Sequence, residues 1–149
     1  MRTEGSIVID KPIELVFRVT TDLVSEWSSV VVEDELIDDR PGGIGSTFRS
    51  VTEENGVRME FVGKVVKNDP PNEQCVHLSG DKFDLDVEYY FEAISPTATR
   101  VTQVSTVNAR GLAKVLFSLF GWAMKGSGSK ALQKEFQNLK AFCEGYDES

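Results

Sequence analysis

The chain has little histidine and little cysteine. Its 149 residues include one histidine, His77, and two cysteines, Cys75 and Cys143. A structural zinc site takes four nitrogen or sulfur ligands at short spacings, and this inventory does not supply them. A catalytic triad of the serine protease type requires a histidine, and His77 is the one histidine of the sequence. We therefore expect no metal and no cofactor, and two free thiols in a reducing cytoplasm.

Long hydrophobic runs are also missing. The most apolar segment extends from Val115 to Met124, well short of the ~20 residues that span a bilayer. The N-terminus carries Arg2, Glu4 and Asp10 and shows no apolar signal core. These features predict a cytoplasmic protein with no integral membrane association.

Positive charge is scarce. Sixteen lysines and arginines stand against 24 acidic residues, which gives a net charge of −8. Nucleic-acid binding requires a basic footprint, and Lys64, Lys67 and Lys82 are scattered among acids, so we expect no nucleic-acid partner. No linker or internal repeat interrupts the sequence. We therefore predict a single domain over residues 1–149, as a monomer or weak homodimer.

The middle of the chain has the period-two alternation of β-strands. In the clearest stretch, Leu85 to Phe91, apolar residues alternate with acids. Asn55-Gly56 is typical of a tight hairpin, and similar short turns predict antiparallel pairing. We expect about seven strands. After the first, Asp10 is predicted to cap the first of two short helices, over residues 11–20 and 22–28.

The last third predicts helix from about residue 111 to 145. Leu112, Leu116 and Leu119 lie on one helical face, and Leu132 and Phe136 resume it. A one-faced helix after a run of strands needs a sheet to lie against. Two glycines within residues 126–129 predict a kink or a break there. We interpret the part before the break as a cavity lid, with opening at the break as a hypothesis for ligand entry, and the part after it as an anchor.

Particular stretches resemble the START-like, or SRPBCC, superfamily, and most closely its bacterial polyketide cyclase/dehydrase and lipid-transport branch. They are residues 9–17 (IDKPIELVF), Asp22 with Glu26-Trp27, residues 41–46 (PGGIGS) and residues 135–142 (EFQNLKAF). The resemblance implies an α+β helix-grip fold. In it, a curved antiparallel sheet of about seven strands wraps around a long C-terminal helix, with two short helices after the first strand.

The resemblance also implies a cavity between sheet and helix for a lipid, polyketide or other hydrophobic small-molecule ligand. Strand parity turns the sheet residues below inward, with Tyr89, Gln103 and Ser105 as the polar groups. The predicted ligand-binding residues are Trp27, Met59, Phe61, Leu85, Val87, Tyr89, Phe91, Gln103, Ser105, Leu116, Phe120 and Met124. The same side chains can instead fill a solid core. Trp27 is either a gate or a core anchor.

Some orientations stay open at this point. If Val104 points inward, Thr102 and Thr106 replace Gln103 and Ser105 as the polar pair. Parity turns His77 outward; with the opposite parity, His77 and Tyr89 form an acid/base pair. The acidic rows at residues 33–35 and 84–88 are interpreted as solvated strand faces.

Three functions follow as hypotheses. The first is binding or transport of an apolar or aromatic molecule. The second is an enzyme of the cyclase/dehydratase type in the same cavity, for which the resemblance supplies no catalytic residue. The third is a protein-interaction module that acts through the long helix or a sheet edge.

Overall fold

Seven strands form one antiparallel sheet in the computed structural model, which describes residues 2–54, 56–109 and 130–146. The strand positions follow the alternation in the sequence, and the predicted number is confirmed. The strands are β1 (Arg2–Ile9), β2 (Val31–Asp38), β3 (Thr47–Glu54), β4 (Val57–Asp69), β5 (Glu73–Ser79), β6 (Phe83–Ser95) and β7 (Ala98–Ala109).

The strand order β1-β7-β6-β5-β4-β3-β2 places β1 and β2 at opposite edges. Two short helices, α1 (Ile13–Asp22) and α2 (Val24–Trp27), carry the chain from one edge to the other. Strands β2 to β7 then return as a meander until β7 pairs with β1. Residues 130–144, the C-terminal helix, are helical. The predicted α+β helix-grip fold is confirmed.

The predicted cap of α1 is wrong. The residue at the N-cap position is Pro12, and no side chain caps the helix. Asp10 lies two residues further out, and its backbone N–H donates to Glu144 Oε2 at 2.9 Å. The start of α1 is therefore held through a contact with the C-terminal helix, which no local pattern reveals.

The C-terminal helix packs against one part of the sheet. Its buried residues Leu132, Phe136, Leu139 and Cys143 recur at steps of four, three and four, so they form one stripe. They share a core cluster with residues of β1, α1, β6 and β7, among them Ile9, Val16, Phe91 and Val101. At Gly5 a Cβ atom would stand 3.0 Å from Leu132 and 3.1 Å from Phe136, so the helix lies close against β1.

Polar contacts fix the C-terminal helix at two levels. Glu135 accepts hydrogen bonds from the Ser28 hydroxyl, from the Ser29 N–H at 2.9 Å and from the Ser29 hydroxyl at 2.6 Å. Further along, Lys140 donates to the Val8 carbonyl at 3.0 Å and to Glu144 at 2.6 Å. Hydrogen bonds to charged groups have directional preference, so these contacts set the position of the helix along the sheet.

Both cysteines are free, as expected, and both are buried. Burial, with a smaller effect from Glu144, raises the pKa of the Cys143 thiol to about 12. Burial also raises the pKa of Cys75. Thiols held in the neutral form are poor nucleophiles, which suits packing rather than chemistry.

The first part of the predicted long helix lies outside the described residues. This applies to the predicted lid with Leu116, Phe120 and Met124, and to the break at residues 126–129. In the described part of the chain, no helix is long and apolar enough to cross a bilayer.

Packing of the C-terminal helix can be tested with one substitution at two sites. Leu139 is 0% exposed and Leu36 on β2 is 60% exposed. We expect Leu139→Ala to lower the free energy of unfolding by about 2–5 kcal/mol, because it leaves a cavity in the core. Leu36→Ala, the matched control, should cost less than about 1 kcal/mol. Urea unfolding gives both values, and equal losses would contradict this placement of the core.

Candidate functional site

A cavity of about 950 Å³ lies on the concave side of the sheet, bounded by α1, α2 and the C-terminal helix. Its volume is at the upper end of the range of about 300–1,000 Å³ for small-molecule sites. The helix covers the β1, β7 and β6 side of the sheet, where the core cluster lies. The cavity extends from there along the inner face toward β2.

Cross-strand pairs form the apolar floor of the cavity. Val76 pairs with Val87, and Leu78 pairs with Leu85, so these four side chains share one face. Phe61, 3% exposed, continues this surface on β4. Side chains that point to the inner face at every second position give a continuous hydrophobic surface.

Phe48 extends the wall over a glycine. Phe48 on β3 and Gly63 on β4 are direct partners in the sheet. A Cβ atom at residue 63 would overlap the Phe48 ring, so the ring lies flat across the space that a side chain would occupy. Glycine at residue 63 thus lets an aromatic ring cover its neighbouring strand.

Three polar side chains lie together beyond the apolar floor. Tyr89 pairs with Gln103 across β6 and β7, and Gln103 Nε2 donates to Ser105 Oγ at 2.9 Å. Burial, with a smaller effect from the charge of Glu135, raises the pKa of the Tyr89 phenol. The phenol is therefore a neutral hydroxyl around pH 7, able to donate or accept a hydrogen bond.

The structure brings seven of the twelve predicted residues to the cavity wall. They are Trp27, Phe61, Leu85, Val87, Tyr89, Gln103 and Ser105. Phe91 instead packs in the core, 5.1 Å from Phe17 between ring centroids. Met59 is half-buried next to Thr52 and does not line the cavity. Leu116, Phe120 and Met124 lie outside the described residues. Contact of these residues with a ligand remains a prediction.

The structure determines the orientations that the sequence left open. Gln103 and Ser105 line the cavity, whereas Thr102 and Thr106 do not. Trp27 is 7% exposed, belongs to the core cluster, and donates from Nε1 to the Val19 carbonyl at 3.0 Å. Packing and a hydrogen bond both hold this ring, which favours the core anchor over the gate.

His77 lies on the outer face of the sheet, as parity predicts. Its neighbours Val76 and Leu78 line the cavity, while His77 Nδ1 stands 2.6 Å from Asp86 Oδ1. The pair of His77 with Tyr89 is therefore not formed.

The glycine loop at residues 41–45 is a tight connection. The Gly45 N–H donates to the Val65 carbonyl at 2.8 Å, and the Val65 N–H donates to the Ser46 carbonyl at 2.9 Å. Asn68 Nδ2 donates to the Gly42 carbonyl at 2.9 Å. These bonds tie the loop to β4 next to the cavity.

Five carboxylates line the cavity, and the sequence interpretation missed them. Asp34 is exposed to solvent, as predicted. A bulge between Val31 and Glu33 nevertheless shifts the parity of β2 and pairs Asp34 with inward-facing Ser50, so Asp34 lies on the cavity side of the sheet. Glu135 lies three positions after Leu132 on the same helical face, a spacing that could have revealed it. The full set is Asp22, Asp34, Asp39, Glu54 and Glu135.

Comparisons with known proteins agree on the fold. A family model described as polyketide cyclase / dehydrase and lipid transport matches residues 1–144. A protein from Thermus thermophilus is 17% identical with a TM-score of 0.79, covering 96% of this chain and 97% of that one. No curated protein sequence matches the chain.

Two further solved structures carry functional or superfamily names. A START superfamily protein from Mycobacterium smegmatis is 14% identical with a TM-score of 0.77, covering 96% of this chain and 97% of that one. The ZhuI aromatase/cyclase from Streptomyces sp. R1128 is 10% identical with a TM-score of 0.76, covering 97% and 93%. At these identities the likeness shows the fold alone.

The wall formed by Phe48 and Gly63 can be tested by a double-mutant cycle. We expect Gly63→Ala to lower the free energy of unfolding by about 1–3 kcal/mol, because the new methyl group displaces the Phe48 ring. In a Phe48→Ala background the same change should cost much less, since the ring is gone. Additive losses in urea unfolding would show that the ring does not lie across residue 63.

Proposed function

Since the chain belongs to the polyketide cyclase/dehydrase and lipid transport family, we propose that it binds an apolar or aromatic small molecule between the sheet and the C-terminal helix. The observation that carries this proposal is the cavity of about 950 Å³ with its continuous apolar floor. Protein interiors are normally close-packed, so a space of this size inside a domain is normally filled by side chains. A ligand is the natural occupant of such a concave, mostly apolar site.

The floor supports binding through the hydrophobic effect. Removing about 200 Å² of apolar ligand surface from water is worth roughly 5 kcal/mol before the costs of association. Leu78, Leu85 and Val87 offer saturated side chains, and Phe48 and Phe61 offer ring faces. This mixture accepts both aliphatic and aromatic bodies.

Tyr89, Gln103 and Ser105 would fix the orientation of the ligand. They lie together on β6 and β7, and each offers a donor or an acceptor to the cavity. A ligand with one oxygen-containing group can bond to this set while its apolar body lies on the floor. Few, clustered polar groups favour orientation over strong affinity.

A cavity-filling substitution tests the proposal. Val87 lies on the floor, and Val62 on the outer face is 52% exposed. We expect Val87→Trp to weaken binding of the neutral apolar dye Nile red by roughly tenfold or more, equivalent to about 1.4 kcal/mol or more, because the indole takes the place of the ligand. Val62→Trp, the matched control, should bind the dye as the original chain does. Fluorescence titration measures both.

Native mass spectrometry of freshly purified protein provides the second readout. We expect a co-purified small molecule on the original chain and on Val62→Trp, and less or none on Val87→Trp. Circular dichroism checks that each variant is folded. Equal dye binding by both Trp variants, with no co-purified molecule on any chain, would reject the cavity as a binding site.

The second candidate is a cyclase or dehydratase acting in the same cavity. One observation favours it: the Tyr89 phenol and the Glu135 carboxylate both line the cavity, and the charge of Glu135 contributes to the raised pKa of Tyr89. A positioned acid and a positioned base can promote proton transfers of a bound carbonyl compound. The similarity in fold to an aromatase/cyclase is compatible with this candidate.

Separate effects on binding and turnover distinguish the two candidates. If the chain is an enzyme, Tyr89→Phe should abolish turnover of a synthetic poly-β-ketone while Nile red binding stays within about twofold, because only the hydroxyl is lost. Gln103→Leu should behave similarly. Turnover that survives in both variants would remove these residues from a catalytic role.

A further inference from the structure

Neutral polar side chains form one continuous row across the inner face of the sheet. Asn68 on β4 pairs with Gln74 on β5. Gln74 pairs in turn with Tyr89 on β6, and Tyr89 pairs with Gln103 on β7. All four residues line the cavity. Direct partners on neighbouring strands lie side by side on one face, so the polar group at Tyr89 and Gln103 continues across two further strands.

This polar row lies between the core and the apolar floor of the cavity. At the next inward positions on one side, Val76 pairs with Val87 on the floor. At the next inward positions on the other side, Phe91 pairs with Val101 in the core cluster. A flat molecule that lies on the floor therefore presents one of its edges to the polar row.

Hydrogen bonds fix the orientation of the Asn68 and Gln74 amides. The Gly42 carbonyl can only accept, so Asn68 turns Nδ2 toward it, at 2.9 Å. Asn68 Oδ1 is thereby left to accept from Gln74 Nε2, at 3.2 Å. Gln74 thus donates to Asn68 and keeps its own carbonyl oxygen, Oε1, as an acceptor. Since no donor in the described part of the chain is bonded to Gln74 Oε1, this end of the row offers an acceptor to a ligand.

The glycine loop holds Asn68 in this orientation. A Cβ atom at Gly43 would stand 2.4 Å from Asn68 Nδ2, so the loop backbone lies directly against the amide. The φ of Gly43 is 86°, in the left-handed region that favours glycine. Because Asn68 is fixed by the loop, the Gln74 acceptor is pre-organised before a ligand binds.

A second acceptor lies further along the row. Gln103 Nε2 donates to Ser105 Oγ at 2.9 Å, which leaves Gln103 Oε1 able to accept. Gln74 and Gln103 are separated by β6 alone. Two spacings between neighbouring strands amount to about 10 Å. Tyr89 stands between the two amides, and its hydroxyl can donate to a group bound at either of them.

We infer that the ligand is a neutral diol, with two hydroxyl groups about 10 Å apart along one edge of a flat, apolar frame. One hydroxyl donates to Gln74 Oε1 and the other donates to Gln103 Oε1, while the frame lies on the floor at Val76 and Val87. This inference rests on the proposed function and narrows its ligand class. A molecule whose oxygens can only accept, such as a diether, would leave both amide oxygens covered and unpaired, which is unfavourable.

Four probes on one biphenyl frame test the inference by competition with Nile red, a dye that has no hydrogen-bond donor. para-Phenylphenol has one hydroxyl group, and para,para′-biphenol has two that stand about 10 Å apart, as two strand spacings do. The monomethyl ether of para,para′-biphenol replaces one donor by an acceptor, and ortho,ortho′-biphenol brings both hydroxyl groups close together. We expect para,para′-biphenol to compete at roughly three- to tenfold lower concentration than each other probe, the effect of about one net hydrogen bond.

Variants of similar side-chain size locate the contacts. Gln74→Leu should reduce the advantage of para,para′-biphenol over para-phenylphenol to within about twofold, because one acceptor is lost. Gln103→Leu provides an independent variant with the same expected loss at the other acceptor. Gln137→Leu is the matched control: Gln137 is exposed on the C-terminal helix and does not line the cavity, so the advantage should be kept. Comparing two competitors in the same variant cancels a general change in dye affinity.

The outcomes separate this inference from the proposed function. Equal competition by para,para′-biphenol and its monomethyl ether, or by the two biphenol isomers, would overturn the diol while leaving a binding cavity. An advantage that persists in both Gln74→Leu and Gln103→Leu would also overturn it. Absence of Nile red binding, or binding that Val87→Trp does not change, would reject the proposed function itself.

Discussion

The rest of the structure depends on the packing of the C-terminal helix on one side of the concave sheet. The stripe of Leu132, Phe136 and Leu139 packs in one core cluster with Ile9, Phe91 and Val101, and the helix approaches β1 closely at Gly5. This contact supplies a dense core next to β1, β7 and β6. Among the described residues, this stripe contacts only that side of the sheet, and the inner face toward β2 lines the cavity. In this part of the chain the cavity therefore lies beside a helix that packs off-centre on a curved sheet.

The two faces of the sheet differ in how their charged side chains are paired. On the outer face, acids and arginines from neighbouring strands neutralise each other, as in the contacts of Arg49 with Glu60 and Glu33. Such exposed pairs contribute little to stability but keep the surface polar. On the inner face, Asp22 and Asp34 line the cavity, and no ion pair within the described part of the chain involves either of them. Groups with a shifted pKa, such as Asp34, occur often at functional sites, which is compatible with a ligand site on this face.

The sequence predicts much of this fold because its signals are local. Alternation from Leu85 to Phe91 sets the inner face of β6, and the same parity turns His77 outward. Sequence patterns mispredict the structure where contacts between distant parts of the chain determine it. A bulge after Val31 reverses the parity of β2 and turns Asp34 inward, and Asp10 bonds to Glu144 instead of capping α1. The core role of Phe91 follows from α1 lying above it, which strand parity cannot reveal.

We propose above all that a ligand binds in the cavity on the concave face of the sheet and not on the outer face. Intermolecular nuclear Overhauser effects between methyl-labelled protein and unlabelled Nile red test it most directly. We expect contacts from the rings of the dye to the methyl groups of Leu78, Leu85 and Val87, which line the cavity floor. Contacts confined to Val62 and Val66, which are exposed on the outer face, would contradict the account.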